Sequence, residues 1–261
     1  MRTLALLRRF GLALFILVSL GEHPMVSAAD LPDTIDRIRP SIVAVGGFKA
    51  VGNPPFTFRG TGFVVADGTL VATNAHVVAD PPERDGESTI AVQFRSGDRL
   101  TVRRARIVAT ASDVDLAVLR IEGAPLAALP LAGDELPREG REIAFTGFPV
   151  GNVLGVTPVT HRGIVSSIAP IAMPGATAQQ LSERQVRRLR AGSFNILQLD
   201  ATAYPGNSGS PVFDVRNGQV VGIINMVLVR GTREAALSSP TGISYAIPVL
   251  YLTELLRSLR P

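Results

Sequence analysis

The feature that most constrains this chain is a series of short runs rich in β-branched residues, separated by turn residues. These runs lie at 41–48, 61–66, 69–73, 88–95, 100–111, 116–121, 141–147, 163–169, 195–200, 219–229 and 242–247. Asp67-Gly68 and Asn217-Gly218 stand between consecutive runs and are typical of tight hairpin turns. Many short strands joined by hairpins predict an antiparallel all-β fold, either a sandwich or a barrel.

Three segments have helical patterns instead. "LPDTIDRIRP" predicts a short helix that ends at Pro40, and the leucine stripe of "PVLYLTELLRSL" (248–259) predicts the clearest helix of the chain. "LSERQVRRLR" (181–190) begins with a capping box formed by Ser182 and Gln185. Its four arginines predict a basic helix with a solvated face.

A polar, turn-rich segment, "LAGDELPREG" at 131–140, divides the chain into two β-rich parts of similar length. We therefore expect an N-terminal β domain at 29–135 and a C-terminal β domain at 136–261, with a separate leader at 1–28.

That leader has the pattern of a secretory signal peptide: a basic start, the apolar run "GLALFILVSL", and small residues ending at Ala28. Because the apolar run is too short for a comfortable bilayer span, we expect cleavage near Ala28 and export to the periplasm or the medium. An uncleaved anchor is the alternative.

Composition narrows the classes of function. The hydrophobic content of 46% and charged content of 18% are typical of a folded globular protein. Removing residues 1–28 removes three arginines and one glutamate, which lowers the net charge from +4 to +2 and argues against nucleic-acid binding. The absence of cysteine excludes disulfides, zinc–thiolate sites and cysteine nucleophiles.

The segment "YPGNSGSP" places one serine, Ser208, among glycines that allow a sharp turn. The backbone N–H groups of Gly206 and Ser208 are suited to hold a developing oxyanion. Taken alone the pattern is weak, because turns of serine and glycine are common.

The rest of the chain offers a base and a carboxylate to accompany this serine. His23 lies in the leader and His161 is interpreted as structural, which leaves His76, where a predicted strand ends in a turn. Asp115 borders the apolar strand "LAVL", whereas Asp113 lies further out and is expected to be solvated. His76, Asp115 and Ser208 follow one of the known orders of a catalytic triad.

With these motifs in place, "GTGFVVADGTLVATNAHVV", "DVDLAVLRI" and "LQLDATAYPGNSGSPVFD" resemble the trypsin-like serine proteases, in particular the exported HtrA/DegP type, over about residues 31–258. The resemblance implies two six-stranded antiparallel β-barrels with a C-terminal helix and an active site between them. It implies that His76 is the base, Asp115 the orienting carboxylate and Ser208 the nucleophile, with Gly206 and Ser208 forming the oxyanion hole.

The chain departs from the HtrA pattern in several places. Ser210-Pro211 is closer to glutamyl endopeptidases, but Ile224 stands where those enzymes place a histidine, which argues against acidic specificity. The resemblance reaches its end at the C-terminal helix, so no PDZ domain is expected. The segment 172–195 falls where the family has loops that order the active site, and its role stays open.

The residues expected to line the substrate pocket are all uncharged. Thr202 is expected at the base of the substrate pocket, with a wall formed by Asn225, Met226 and Val227, which predicts cleavage after small or aliphatic residues. We expect polypeptide substrates, no metal and no cofactor; the oligomeric state stays open. The alternatives are a catalytically silent binding or chaperone-like module on the same fold, and an esterase or transferase using the same acyl-enzyme chemistry.

Overall fold

The computed structural model describes residues 30–79, 89–151, 157–170, 194–226 and 242–259. The leader, the predicted helix at 181–190 and Val227 lie outside these ranges. Within them the strands are β1 (Ile42–Phe48), β2 (Phe56–Val65), β3 (Leu70–Asn74), β4 (Thr89–Ser96), β5 (Arg99–Ala111), β6 (Leu116–Ile121), β7 (Glu142–Gly147), β8 (Val159–Pro170), β9 (Asn195–Asp200), β10 (Pro211–Asp214), β11 (Val220–Ile224) and β12 (Ile243–Pro248).

These strands close into two antiparallel barrels. The first has the order β1-β2-β3-β6-β5-β4 and the second the order β10-β11-β12-β9-β8-β7, each list closing on itself. The expectation of two six-stranded antiparallel barrels is therefore confirmed.

Helices are few in the described residues, and two of the three predicted ones are confirmed there. Helix α1 (Leu31–Ile38) is capped by Asp30, whose side chain accepts from the Leu31 N–H at 2.7 Å. A single-turn helix, α2, spans Ala75–Val78, and α3 spans Val249–Arg257 after β12. No helix within the described residues has both the length and the hydropathy required to cross a bilayer.

The two barrels share a hydrophobic core. Successive side chains of a strand point to opposite faces, so one face of a strand lines its own barrel while the other can pack against the second barrel. On β3, Val71 packs inside the first barrel, while Ala72 joins a cluster common to both barrels and α3. That cluster includes Leu116 from the first barrel, Phe213 from the second and Leu252 from α3, all fully buried. The shared packing fixes the loops of one barrel against those of the other.

Two sequence expectations differ from the structure. Strand β10 was not among the predicted strands, although it pairs with both β11 and β7 and so closes the second barrel. Its first residue is Pro211, and the first residue of a strand is one of the few places in a sheet where proline is tolerated. The run predicted at 219–229 forms a strand only to Ile224 within the described residues, and the side chain of the next residue, Asn225, donates to Asp115.

Candidate active site

His76 is positioned by the change from strand to helix at the end of β3. The Ala75 N–H and the Asn74 side-chain amide both donate to the Asp115 carbonyl, at 3.0 and 3.1 Å. These two bonds tie the start of α2 to the residue that precedes β6. His76 therefore directly follows a backbone segment that is fixed to Asp115.

Asp115 is turned toward this histidine by an unusual backbone conformation, with a φ of +55°. Its Oδ1 accepts from the His76 backbone N–H at 2.9 Å, and its Oδ2 lies 2.6 Å from His76 Nδ1. Oδ2 also accepts from Asn225 Nδ2 at 2.8 Å. One carboxylate thus joins α2, β6 and the end of β11.

These contacts decide the charge of Asp115. Burial favours the protonated carboxyl, but the hydrogen bonds and charge of His76, together with the bond from Asn225, outweigh it and hold the pKa of Asp115 below its ordinary value. An ionised Asp115 accepts a hydrogen bond from Nδ1–H, so the tautomer of His76 that fits this contact carries its lone pair on Nε2. In this tautomer the unprotonated nitrogen lies on the side of the ring away from Asp115.

Ser208 lies in a tight turn that we call the serine loop, residues 204–210. Gly206 and Gly209 adopt φ values of +101° and +87°, which favour glycine. A Cβ on Gly209 would also lie only 2.6 Å from Thr73 Oγ1 and overlap the Thr61 carbonyl. Ser208 itself is buried, with 6% of its surface exposed.

The serine loop meets the histidine helix across β2. The Thr61 N–H donates to the Ser208 carbonyl at 2.9 Å. At the preceding residue, Gly60, a Cβ would lie 2.8 Å from Val77 Cγ2 and 3.1 Å from the same Ser208 carbonyl. Gly60 therefore lies in space between Val77, the residue after His76, and the Ser208 carbonyl, and its lack of a side chain lets the two approach.

A hydrogen bond between the Ser208 hydroxyl and the His76 ring is not among those formed in the described residues, and such bonds often tighten only with substrate.

Two amides of the serine loop are left available to a ligand. The N–H groups of Asn207, Gly209 and Ser210 donate to the carbonyls of Tyr204, Ile224 and Asn207. By contrast, within the described part of the chain the N–H groups of Gly206 and Ser208 donate to no backbone acceptor. They are the two donors that the sequence predicts for an oxyanion.

Ser210 departs from the pattern of the HtrA type, and the structure shows what accommodates it. Its Oγ is buried against Gly147, at the end of β7, in the space where a Cβ of residue 147 would lie. Serine fits at position 210 because position 147 has no side chain.

Three of the four predicted pocket residues lie in the described ranges, and their surroundings differ. Thr202 is half-buried between Ala201 and Ala203, whose backbone groups are bridged by the Ser244 hydroxyl at 2.6 and 2.8 Å. Met226 packs against the interior of the second barrel. The Asn225 side chain contacts Asp115, a role that sequence reasoning missed, although the polar residue ending an apolar strand was its one visible signal.

His161 lies on β8, with its ring centroid 5.9 Å from that of Tyr204 at the start of the serine loop. Its ring stacks on Phe145 with 4.8 Å between ring centroids, and burial lowers the pKa of its imidazole. This packing agrees with its interpretation as a structural histidine. Among the described residues, no cluster of three or more His, Asp or Glu side chains is arranged to hold a metal ion.

The double barrel, with a histidine–aspartate pair on one barrel and a buried serine turn on the other, is the arrangement of the trypsin-like peptidases. The family model described as a trypsin-like peptidase domain matches residues 60–223, and the chain belongs to that family.

Its relatives are HtrA and DegP proteins. The chain is 31% identical over 235 residues to "Serine protease HTRA2, mitochondrial" of Bos taurus, covering 87% of this chain and 42% of the relative. It is 30% identical to a "Probable periplasmic serine endoprotease DegP-like" of Pseudomonas putida (strain W619), covering 73% of this chain and 32% of the relative. The chain thus spans less than half the length of these curated relatives.

A solved structure shows the same fold. The serine endoprotease from Yersinia pestis superimposes with a TM-score of 0.59 at 25% identity, over 88% of this chain and 66% of that one. The resemblance to trypsin-like proteases of the HtrA type is confirmed.

Proposed function

We propose that this chain is an exported serine endopeptidase that uses Ser208, His76 and Asp115 as a catalytic triad. The observation that carries the proposal is the bridging carboxylate of Asp115, which holds His76 by both its backbone N–H and Nδ1, at 2.9 and 2.6 Å. Such bridging presets the histidine as a base before any substrate binds. The family and its relatives, which are named serine proteases, support the same chemistry.

The reaction proceeds in two halves. His76 Nε2 takes the proton of Ser208 Oγ as that oxygen bonds to the carbonyl carbon of the scissile peptide, and Asp115 stabilises the imidazolium. The negative charge on the former carbonyl oxygen is held by the N–H groups of Gly206 and Ser208. His76 then donates its proton to the leaving amine as the C–N bond breaks, and water releases the acyl group by the same steps.

Specificity for small or aliphatic residues is part of the proposal. Its support is the absence of charge on Thr202, Asn225 and Met226, with Asn225 already engaged by Asp115. Digestion of a peptide library, with cleavage sites read by mass spectrometry, tests it. Cleavage concentrated after Arg, Lys or Glu would refute this preference.

Export is supported by the signal pattern of residues 1–28 and by relatives that are named periplasmic. We expect a mature protein that begins at Ala29 in the exported fraction, as read by N-terminal sequencing. Retention of Met1 in a membrane pellet would favour the uncleaved anchor.

The chemistry is tested by a fluorophosphonate probe, which reacts with activated serines. We expect labelling of the wild type, loss of labelling and of casein hydrolysis in Ser208→Ala, and no change in Ser96→Ala, a matched control at an exposed position. A folded wild type that neither labels nor cleaves would favour the silent binding module. Hydrolysis of small esters without peptide cleavage would favour the esterase.

A further inference from the structure

We propose that Thr61 is the positioning residue of the oxyanion hole, and that its hydroxyl holds the serine loop in the substrate-ready arrangement before substrate arrives. The inference rests on the proposed function, because it assigns a task to the Gly206 and Ser208 amides. Thr61 lies on β2, in the other barrel from the loop that it holds.

The argument begins with the carbonyls of the serine loop. A peptide unit is planar, so a hydrogen bond to the carbonyl of one residue fixes the direction of the next residue's N–H. The Pro205 carbonyl accepts from the Val150 N–H at 2.8 Å, which directs the Gly206 N–H. The Asn207 carbonyl accepts from the Ser210 N–H at 2.9 Å, which directs the Ser208 N–H.

Between these two peptide units lies a third, that of Gly206 and Asn207. Its carbonyl, on Gly206, accepts from Thr61 Oγ1 at 2.8 Å. Gly206 adopts a φ of +101° and has no side chain, so its backbone can leave this conformation at low cost. The Thr61 hydroxyl is the side-chain contact that holds this peptide unit, which lies between the donor amides of Gly206 and Ser208.

Thr61 is itself held on every side. It is fully buried, its N–H donates to the Ser208 carbonyl at 2.9 Å, and its carbonyl accepts from Thr73 Oγ1 at 2.7 Å. Its hydroxyl also accepts from the Phe148 N–H at 3.1 Å. A single hydroxyl therefore connects the segment after β7 to the serine loop, and its proton is directed at the Gly206 carbonyl.

The neighbouring anchor shows why such a contact is needed. Val150, whose N–H directs the Gly206 amide, adopts a φ of +49°, a left-handed conformation that is rare for a β-branched residue. On the other side of Gly206, the peptide unit is held at its N–H by the Asn207 bond to the Tyr204 carbonyl, at 2.9 Å, and at its carbonyl by the Thr61 hydroxyl.

The test compares Thr61→Val, which keeps the shape and removes the hydroxyl, with Thr61→Ser, which keeps the hydroxyl. The rate of fluorophosphonate labelling and the kcat and KM for a peptide substrate are measured on the full chain. We expect Thr61→Val to lower kcat and the labelling rate about tenfold to hundredfold, with KM changed less than about threefold, because one donor of an oxyanion hole is worth up to about a thousandfold. Thr61→Ser is expected to stay within about threefold of the wild type.

Equal activity of Thr61→Val and the wild type would overturn the inference, as would a Thr61→Ser variant as slow as Thr61→Val. If Thr61→Val does not fold, Thr61→Ala is compared with Thr61→Ser below the melting temperature of both, with the same expected contrast. Failure of the proposed function looks different, because the wild type would then show no labelling at Ser208.

Discussion

At the scale of single residues, the site depends on how Asp115 is held. The carboxylate is 14% exposed and receives hydrogen bonds from the His76 backbone, the His76 ring and Asn225. A carboxylate that is partly withdrawn from water stays ionised only when such donors compensate the loss of hydration. Asn225 is therefore part of the machinery that keeps the charge opposite His76.

Replacing Asn225 tests this role. Asn225→Ala removes one donor to a charged group, and we expect kcat to fall about tenfold. Asn225→Asp places a second carboxylate beside Asp115, and we expect a larger loss, because two adjacent carboxylates raise each other's pKa. Steady-state kinetics of the two variants provide the measurement. Equal activities of Asn225→Ala and Asn225→Asp would show that the charge of Asp115 does not depend on this contact.

Asp214, at the end of β10, makes a second buried charge whose effect appears in stability. Its carboxylate is fully buried and contacts Arg141 and Arg216. Burial favours its protonated form, but the bonds from Arg216 and Arg141 outweigh this and hold the pKa of Asp214 below its ordinary value. A lowered folded-state pKa gives stability that is present above the unfolded-state pKa of about 3.9 and is lost as pH falls through the folded value.

We expect Asp214→Asn to lower the free energy of unfolding at pH 7 by about 2–3 kcal/mol, near the lower end for breaking a buried ion pair, because both arginines are partly exposed. The difference from the wild type should shrink as pH falls below about 4. Urea unfolding between pH 3 and pH 7 measures it, with the exposed Asp98→Asn as control. A difference that stays constant over this range would contradict the assignment.

At the scale of elements, the end of β7 and the serine loop fit together. A Cβ on Gly147 would overlap Ser210 Oγ and lie 2.8 Å from Asn207 Oδ1 and 2.9 Å from Thr61 Oγ1. All three of these side chains are buried, so none of them can move aside into solvent. The small residue at the end of β7 and the serine in the loop are thus expected to depend on each other.

We expect Gly147→Ala to lower kcat about tenfold by pushing Thr61 away from the serine loop and displacing Asn207 within it, and Ser210→Gly to restore part of the loss. A double-mutant cycle on kcat measures the coupling. Gly133→Ala is the control, because a Cβ there meets no atom within 4 Å. Additive effects of the two substitutions would show that the positions are independent.

The individual strands show which structural features can be predicted from the sequence and which cannot. Strands such as β6 (Leu116–Ile121) and β9 (Asn195–Asp200) coincide with their predicted runs, because periodicity and β-branched residues are local signals. Strand β10 was missed because it is four residues long and begins with proline, and its place is set by pairing with distant strands. The partners of Asp115 were partly missed for the same reason, since Asn225 is 110 residues away in sequence.

At the scale of the whole molecule, the two barrels share one hydrophobic cluster with α3. Leu252 of α3 is fully buried in this cluster, together with Leu116 and Phe213 from the two barrels. Buried side chains that contact both halves couple their unfolding, because neither half can open without exposing the common core. The same packing holds together the two barrels that carry His76 and Ser208.

We expect Leu252→Ala to lower the free energy of unfolding by about 2–5 kcal/mol, since it opens a cavity in this core. The chain should still unfold in one transition, seen at the same urea concentration by circular dichroism and by loss of peptidase activity. Leu100→Ala, on a side chain that is 51% exposed, is the matched control. Two separate transitions would show that the barrels are stable independently of their shared core.

The central claim is that Ser208 carries the acyl group during peptide hydrolysis, and trapping that intermediate tests it most directly. The protein is mixed with an activated ester substrate, quenched in acid and digested, and the modified peptide is identified by mass spectrometry. We predict an added acyl mass on Ser208 in the wild type and none in Ser208→Ala or His76→Ala. Peptide hydrolysis that persists in Ser208→Ala, or an acyl group found on another residue, would contradict the account.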